Sequence, residues 1–382
     1  DKIDIVLYLE EYLPTYRSNL TQTERAELLM KAIQLIAQYQ NQNPPPPFQL
    51  GLTAYSADSL EDIKSHLGFN AAAAANASAP VTFQSVPMVQ GVALPSKVDW
   101  VDEGIITSVK DQGRCGCCWA VSTVGAIEGA VALQSGFLQS LSFQQYISCD
   151  KDNNGCNGGS LVYALAYPIQ ETPGIATLSD YQFTDSGGTT TQQCDTAVPA
   201  AVGIKSGSYV VDFYDDLTFE ERLQKMKEAV AKQPVSMVMK SGCQLFSNYK
   251  SGILTTDDGC ECTEPTCADH AVLMVGYDDT SDPPSWKLKN SWGTGWGEDG
   301  YFRIAQTQKG DYGLFGILTH GVVPEMAFNM TASTVTESTS TSQSDDSALS
   351  WWAWLLILLA AIAILFFAFS CCTGFLCPRK KH

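Results

Sequence analysis

The 382 residues carry a formal net charge of −18, with 17% charged and 45% hydrophobic side chains. That length accommodates two or three compact units, and the composition excludes a wholly disordered or collagen-like chain. The acidity argues against nucleic acid as a partner, and 13 cysteines are too many to stand idle in a reducing compartment, so their spacing has to separate metal ligands, disulfides and a nucleophile.

The chain begins with Asp1 and shows no signal peptide, which reads as a sequence starting after signal removal. Residues 1–91 hold 5 basic and 9 acidic side chains, residues 92–325 hold 15 and 29, and residues 326–382 hold 3 of each. The acidity therefore belongs to the middle block. In the first block Thr21 and Glu24 have capping-box spacing, and Leu28, Leu29, Ala32, Ile33, Leu35, Ile36 and Tyr39 form an apolar stripe, which predicts a helix over 22–40. Pro44–Pro47 cannot continue it. A short segment, Gly51–Gly68, leads into an alanine-rich stretch over 71–79 that reads as a linker, with a domain boundary near 88–94.

The chemistry lies in residues 92–325. The run Gln112-Gly113-Arg114-Cys115-Gly116-Cys117-Cys118-Trp119 precedes an apolar segment of helical character. A cysteine on a helix's first turn feels the unpaired N–H groups, which favour a thiolate, so Cys118 is a candidate nucleophile. Cys-x-Cys-Cys lacks a second ligand pair at zinc spacing; disulfides remain the other reading of the cluster. A thiolate needs a base. Of four histidines, His270 and His320 fall in this block, and His270 opens an apolar strand-like run through Tyr277. Twenty residues on, Asn290 in Lys289-Asn290-Ser291-Trp292-Gly293 offers an amide that can fix the imidazole tautomer.

The last block is organised for a membrane. Residues 331–347 are mostly Ser and Thr and read as an extended, O-glycosylated stalk. From Trp351 to Phe369 no residue is charged, and a helix of that length spans roughly 29 Å, close to a bilayer's apolar thickness. Trp351, Trp352 and Trp354 suit one interface, and Arg379-Lys380-Lys381 place the other end in the cytoplasm. A removable lipid-anchor signal is the alternative, with small Ser347 and Ala348 upstream. Cys371, Cys372 and Cys377 at the helix end are either palmitoylated or bystanders. Sequons at Asn19, Asn76 and Asn329 all fall on the luminal side.

The segments around Gln112, Cys118, His270 and Asn290 resemble the papain/cathepsin L family of cysteine proteases, over roughly residues 94–324. The resemblance implies an α+β, papain-like two-lobe fold, with a helical lobe and a β-barrel-like lobe on either side of an active-site cleft. It implies that Cys118 attacks the scissile carbonyl, His270 carries the proton, Asn290 orients the imidazole, and Trp292 shields that hydrogen bond. The Gln112 side chain and the Cys118 N–H would bind the oxyanion. Substrate would lie along Gly158, Gly159, Ser160 and Leu161 on one wall and Val238, Ala268, Asp269 and Ala271 on the other. His320 would sit at the base of the second subsite and, when protonated, admit acidic side chains. The pairs Cys115–Cys156 and Cys149–Cys194 match family disulfides. A third family cysteine is replaced by Phe315, and Cys243, Cys260, Cys262 and Cys267 are expected to form two local bridges instead, their pairing open.

By the same resemblance, residues 1–91 form an inhibitory helical propeptide with its linker and 92–325 the catalytic domain; composition and charge make 326–349 the stalk, 350–370 the transmembrane helix and 371–382 the cytoplasmic tail. No cofactor or metal is called for. The expected partners are protein or peptide substrates, the chain's own propeptide and a membrane. The expected location is a lysosomal or vacuolar lumen or the cell surface, as a type I membrane protein. A ligase using the same thioester chemistry and a non-catalytic binding ectodomain are the competing classes; the latter predicts loss of Cys118, His270, Gln112 or Asn290, and all four are present.

Overall fold

In the computed structural model, which describes residues 20–69, 71, 74, 84–86, 93–170, 174–212, 215–264 and 266–326, the capping box at Thr21 is formed. Thr21 Oγ1 accepts from the Glu24 N–H at 3.3 Å, and the Glu24 carboxylate accepts from the Thr21 N–H at 2.8 Å. Helix α1, Gln22–Gln40, follows, with Leu29, Ala32, Ile36 and Tyr39 buried. After strand β1 (Phe48–Leu50), a second capping box at Ser59 and Asp62 starts the short helix α2 (Leu60–Ser65).

Three helices build one lobe: α3 (Cys118–Ser135), α4 (Phe143–Cys149) and α5 (Leu161–Gln170). As far as Ala132, helix α3 is apolar on nearly every side because it is enclosed on nearly every side; Trp119, Val124, Ile127 and Val131 are all buried. Its backbone comes so near residue 234 that a methyl group at Gly129 would stand 2.7 Å from Pro234 Cγ. Disulfides Cys115–Cys156 and Cys149–Cys194 staple this lobe.

The other lobe is a sheet. Its remaining strands are β2 (Gln84–Ser85), β3 (Lys97–Asp99), β4 (Ile204–Val211), β5 (Val235–Met239), β6 (Tyr249–Leu254), β7 (His270–Asp278), β8 (Ser285–Lys289), β9 (Tyr301–Ala305) and β10 (Gly321–Met326). They run in the order β1-β6-β9-β8-β7-β5-β10-β4-β2, with β3 on β7. Two further helices, α6 (Phe219–Val230) and α7 (Gln244–Ser247), complete it. Strand β7 is buried along nearly its whole length, which is why it reads as a continuous apolar run instead of alternating. Disulfides Cys243–Cys260 and Cys262–Cys267 lie here, and Phe315 is fully buried.

Two features position the site. Helix α3 packs on β5 and β7, so the helix that starts at Cys118 meets the strand that starts at His270. The antiparallel register of β7 and β8, with Leu273 opposite Lys289, then returns the chain so that Asn290 comes beside His270. The first block adds strands to this sheet: β1 pairs with β6 and β2 with β4, at the two ends of the sheet order. Open sheet edges want partners, and these short strands supply them.

The chain divides into two compact units, Asp1–Thr331 and Ala332–His382. The second lies outside the described residues, and with it most of the stalk, the apolar run and the basic tail; Asn19, Asn76 and Asn329 are outside them too. Among the described residues no helix is long and apolar enough to cross a membrane.

Candidate active site

Cys118 is the first residue of α3 and is fully buried. Its Sγ accepts from the Gly68 N–H at 3.2 Å and the Ala271 N–H at 3.4 Å. The helix start was expected to favour a thiolate. Instead burial pushes the thiol up to about 11, against the pull of the two N–H donors. Loss of water outweighs these donors and favours the neutral thiol in this closed state. Neighbouring Cys117 is also buried and unbridged.

On the opposite wall the fully buried His270 has its Nε2 2.9 Å from Asn290 Oδ1. Asn290 Oδ1 also accepts from the Ser291 N–H at 2.8 Å, so it acts as acceptor and His270 Nε2 carries the proton. That tautomer leaves Nδ1 as the free lone pair; Nδ1 has no hydrogen-bond partner among the described residues. Burial is the main cause holding the imidazolium down to about 4. Trp292 lies against the imidazole, ring centroids 5.3 Å apart, and is backed by Phe246 and Trp296 at 5.5 and 5.3 Å. An apolar cover of this kind keeps water from the His270–Asn290 bond.

Gln112 ties the walls together. Its Oε1 accepts from Ser291 Oγ at 2.5 Å, and its Nε2 donates to the Cys115 and His66 carbonyls, both at 2.7 Å. Ser291 was not singled out by sequence reasoning, although it stands between Asn290 and Trp292. Its hydroxyl orients the amide so that the NH2 group faces the cleft side.

The cleft is occupied by the chain itself. His66 O sits on Gln112 Nε2, Gly68 N on Cys118 Sγ, Gly68 O on the Gly159 N–H at 2.8 Å, and Phe69 N on Asp269 O at 3.2 Å. Phe69 and Gly159 form a parallel bridge. The approach is so tight that a methyl group at Gly68 would fall 1.7 Å from Gly116 O. Gly158, at φ +106°, offers the same clearance from the other side, since a Cβ there would meet Gly68 O at 2.9 Å. His66, Gly68 and Phe69 were missed in the sequence; a single glycine between Leu67 and Phe69 was the only local signal.

Residues before the cleft hold this segment down. Tyr39 Oη donates to Asp258 Oδ2 at 2.5 Å, Thr53 Oγ1 to Ser247 O at 2.7 Å, and Ser56 Oγ to Asn248 Oδ1 at 2.6 Å. Tyr55 stacks on Trp292 at 4.7 Å. Arg114 pairs with Asp62 at 3.1 Å, and His66 joins Gly113 O at 2.7 Å and Asp58 at 3.4 Å.

The predicted subsite residues divide. Leu161, Val238, Ala268 and Ala271 are buried in one apolar cluster with Phe69. Ser160 accepts from the Val162 N–H at 3.3 Å while its own N–H goes to Asn153, so it shapes the wall from within. Asp269 meets the segment through its carbonyl; its carboxylate is taken by Lys240 and the Ser241 N–H. His320 is fully buried, its Nδ1 is 3.1 Å from Asp212 Oδ1, its ring meets Tyr209 edge-on at 5.8 Å, and its carbonyl accepts from the Val238 N–H at 3.1 Å. The imidazole therefore has a carboxylate beside it, which the sequence did not suggest.

The model for papain family cysteine proteases matches residues 94–323. The chain belongs to this family. It is similar to cysteine endopeptidase Rep1 of Oryza sativa subsp. japonica, 42% identical over 240 residues that make up 62% of this chain and 60% of that protein. It is also similar to the senescence-specific cysteine protease SAG12 of Arabidopsis thaliana, 37% identical over 72% of this chain and 76% of the relative. Among solved structures, the ragweed pollen cysteine protease Amb a 11 in its proform covers 85% of this chain and 94% of its own, with 27% identity and a TM-score of 0.68. Digestive procathepsin L 3 of Tenebrio molitor covers 85% and 100%, with 26% identity and a TM-score of 0.67. The chain is a papain-like cysteine endopeptidase with the family's fold.

Proposed function

We propose that the chain is made as a zymogen in which residues 1–91 silence the catalytic domain, 92–325, until they are cut away between about Gln90 and Leu94. Cys118 is then the nucleophile. Its thiol proton passes to His270 Nδ1 as sulfur bonds to the scissile carbonyl carbon, and the oxyanion takes the Gln112 Nε2–H that His66 O now holds. The tetrahedral adduct collapses to a thioester as His270 protonates the leaving amine. Water, deprotonated by His270, releases the acid. Asn290 keeps the imidazole in the tautomer this sequence needs. The second subsite takes an apolar side chain where Phe69 lies.

One observation carries this reading: a backbone carbonyl of the chain's own leader occupies the Gln112 donor while the next residues cover Cys118. The test is alkylation of Cys118 against pH, with Cys118→Ala as the blank for Cys117. In the uncut chain, labelling should rise only toward about pH 11, and removal of residues 1–91 should move the profile to lower pH as the thiol regains water. Superimposed profiles would sink the reading.

The finer organisation we propose is a type I membrane protein, with the Ser/Thr-rich stalk at 326–349, a spanning helix at 350–370 and a tail at 371–382. Its support is the uncharged run and the flanking tryptophans and basic residues. The same reading puts sugars on Asn19, Asn76 and Asn329 and the catalytic domain in an oxidising lysosomal or vacuolar lumen, or outside the cell. Alkaline carbonate extraction checks the anchor: release of the full chain into the soluble fraction counts against it.

A further inference from the structure

The leaving amine takes its proton from His270, and Trp292 lies against that imidazole, so the chain beyond the scissile bond departs over Trp292. Two open cavities follow one another there. The first, about 430 Å³, is lined by Trp292, Gly293, Val109 and Asp111, with Tyr55 of the leader at its edge. The second, about 610 Å³, is lined by Val109 and Asp111 again, then by Phe143, Leu178, Ser179 and Phe183. Val109 and Asp111 line both, so the two cavities are neighbours on the Trp292 side of the catalytic centre. The larger volume falls in the roughly 300–1,000 Å³ range of ligand clefts.

This second groove is built, and both its lips hang on one buried carboxylate. Glu128 accepts from Thr107 Oγ1 at 2.6 Å on one side and from the Leu141 N–H at 2.8 Å on the other. Lys289, the residue before Asn290, donates to Thr107 O at 2.8 Å. The far lip is fixed by the Leu178 N–H on Ser140 O at 2.9 Å and by Ser142 Oγ on Tyr181 O at 2.7 Å. Phe143 and Phe183 pack with ring centroids 4.6 Å apart, giving an apolar floor, while Lys110 and Asp111 balance its charge. None of its lining residues comes from the leader.

We propose that this groove is a distal docking site for the leaving-side segment of an extended polypeptide substrate, which runs over Trp292 and Asp111 and sets an apolar side chain against Phe143, Leu178 and Phe183. The inference rests on the proposed catalytic reading. It makes the enzyme one that favours long, unfolded protein segments over short peptides, because remote binding is used to speed the chemical step.

The test compares two quenched peptides with the same acyl side and the same two leaving-side residues, one ending there and one continuing for eight leaving-side residues in all, a reach of roughly 26 Å when extended. On the processed enzyme the longer peptide should have a kcat/KM about tenfold higher. Ser179 and Gln182 are exposed on the lip, and Ser179→Trp or Gln182→Trp should bring that ratio toward one while leaving the short peptide unchanged. A ratio near one in the unsubstituted enzyme, or a ratio untouched by both substitutions, overturns the groove and spares the catalytic reading. Turnover of neither peptide overturns both.

Discussion

The two walls of the cleft are made differently. The helical wall supplies Gln112 and Cys118 from one short run and Gly158 to Leu161 from the segment that leads into α5, joined through Cys115–Cys156. The sheet wall gathers Val238, His270, Asn290 and His320 from segments spread over more than eighty residues, brought together by strand register, its own disulfides bridging only 17 and 5 residues. The helical wall is a local object stapled in place, while the sheet wall is correct only if several strands pair without a slip. The difference teaches where the site is robust and where it depends on the whole domain.

The sharpest break removes one reacting group from each wall. Cys118→Ala and His270→Ala should each lower kcat by about six orders of magnitude, and the double variant should be little worse, because the pair acts as one unit. Steady-state kinetics on the processed enzyme would show it; additive losses would mean the walls work independently. Next is the residue that links the walls. Gln112→Ala, which also frees Ser291 Oγ, should cost about 10²–10³ in kcat with little change in KM.

A subtler break acts on the occupant between the walls. Gly68→Ala would drive a methyl group into Gly116 O. Overpacking of about 1–3 kcal/mol corresponds to roughly 5- to 150-fold weaker inhibition by the leader, read as residual activity of an uncut chain. The smallest effect belongs to the sheet wall alone. His320 Nδ1 lies 3.1 Å from Asp212 Oδ1, and His320→Ala takes that imidazole away from the carboxylate. Acceptance of Glu relative to Leu at the second subsite, read as kcat/KM on paired peptides, should therefore fall roughly two- to fivefold in His320→Ala, and an unaltered ratio would remove His320 from specificity.

What could be read in the sequence follows the same division. The helix over 22–40 and its capping box stand as predicted, because caps and apolar stripes are local chemistry. Cys118 at a helix start, His270 at the head of an apolar strand and Asn290 twenty residues later could be named for the same reason. Cys243, Cys260, Cys262 and Cys267 could be counted but not paired, since pairing is decided by which loops meet. Ser291 on Gln112, Asp212 on His320 and the carbonyl role of Asp269 had no signal in their neighbours.

The protonation of the site was the largest difference. A helix N-terminus by itself favours a thiolate, and the sequence shows that helix. Only the fold brings Gly68 over the sulfur, and with water excluded the desolvation of Cys118 exceeds the pull of the N–H groups that point at it. The amino-acid order thus determined which chemical groups this protein owns and which short elements carry them. The tertiary structure decided their partners, and whether they are charged or silent, because contact and burial depend on segments the chain brings together from far apart.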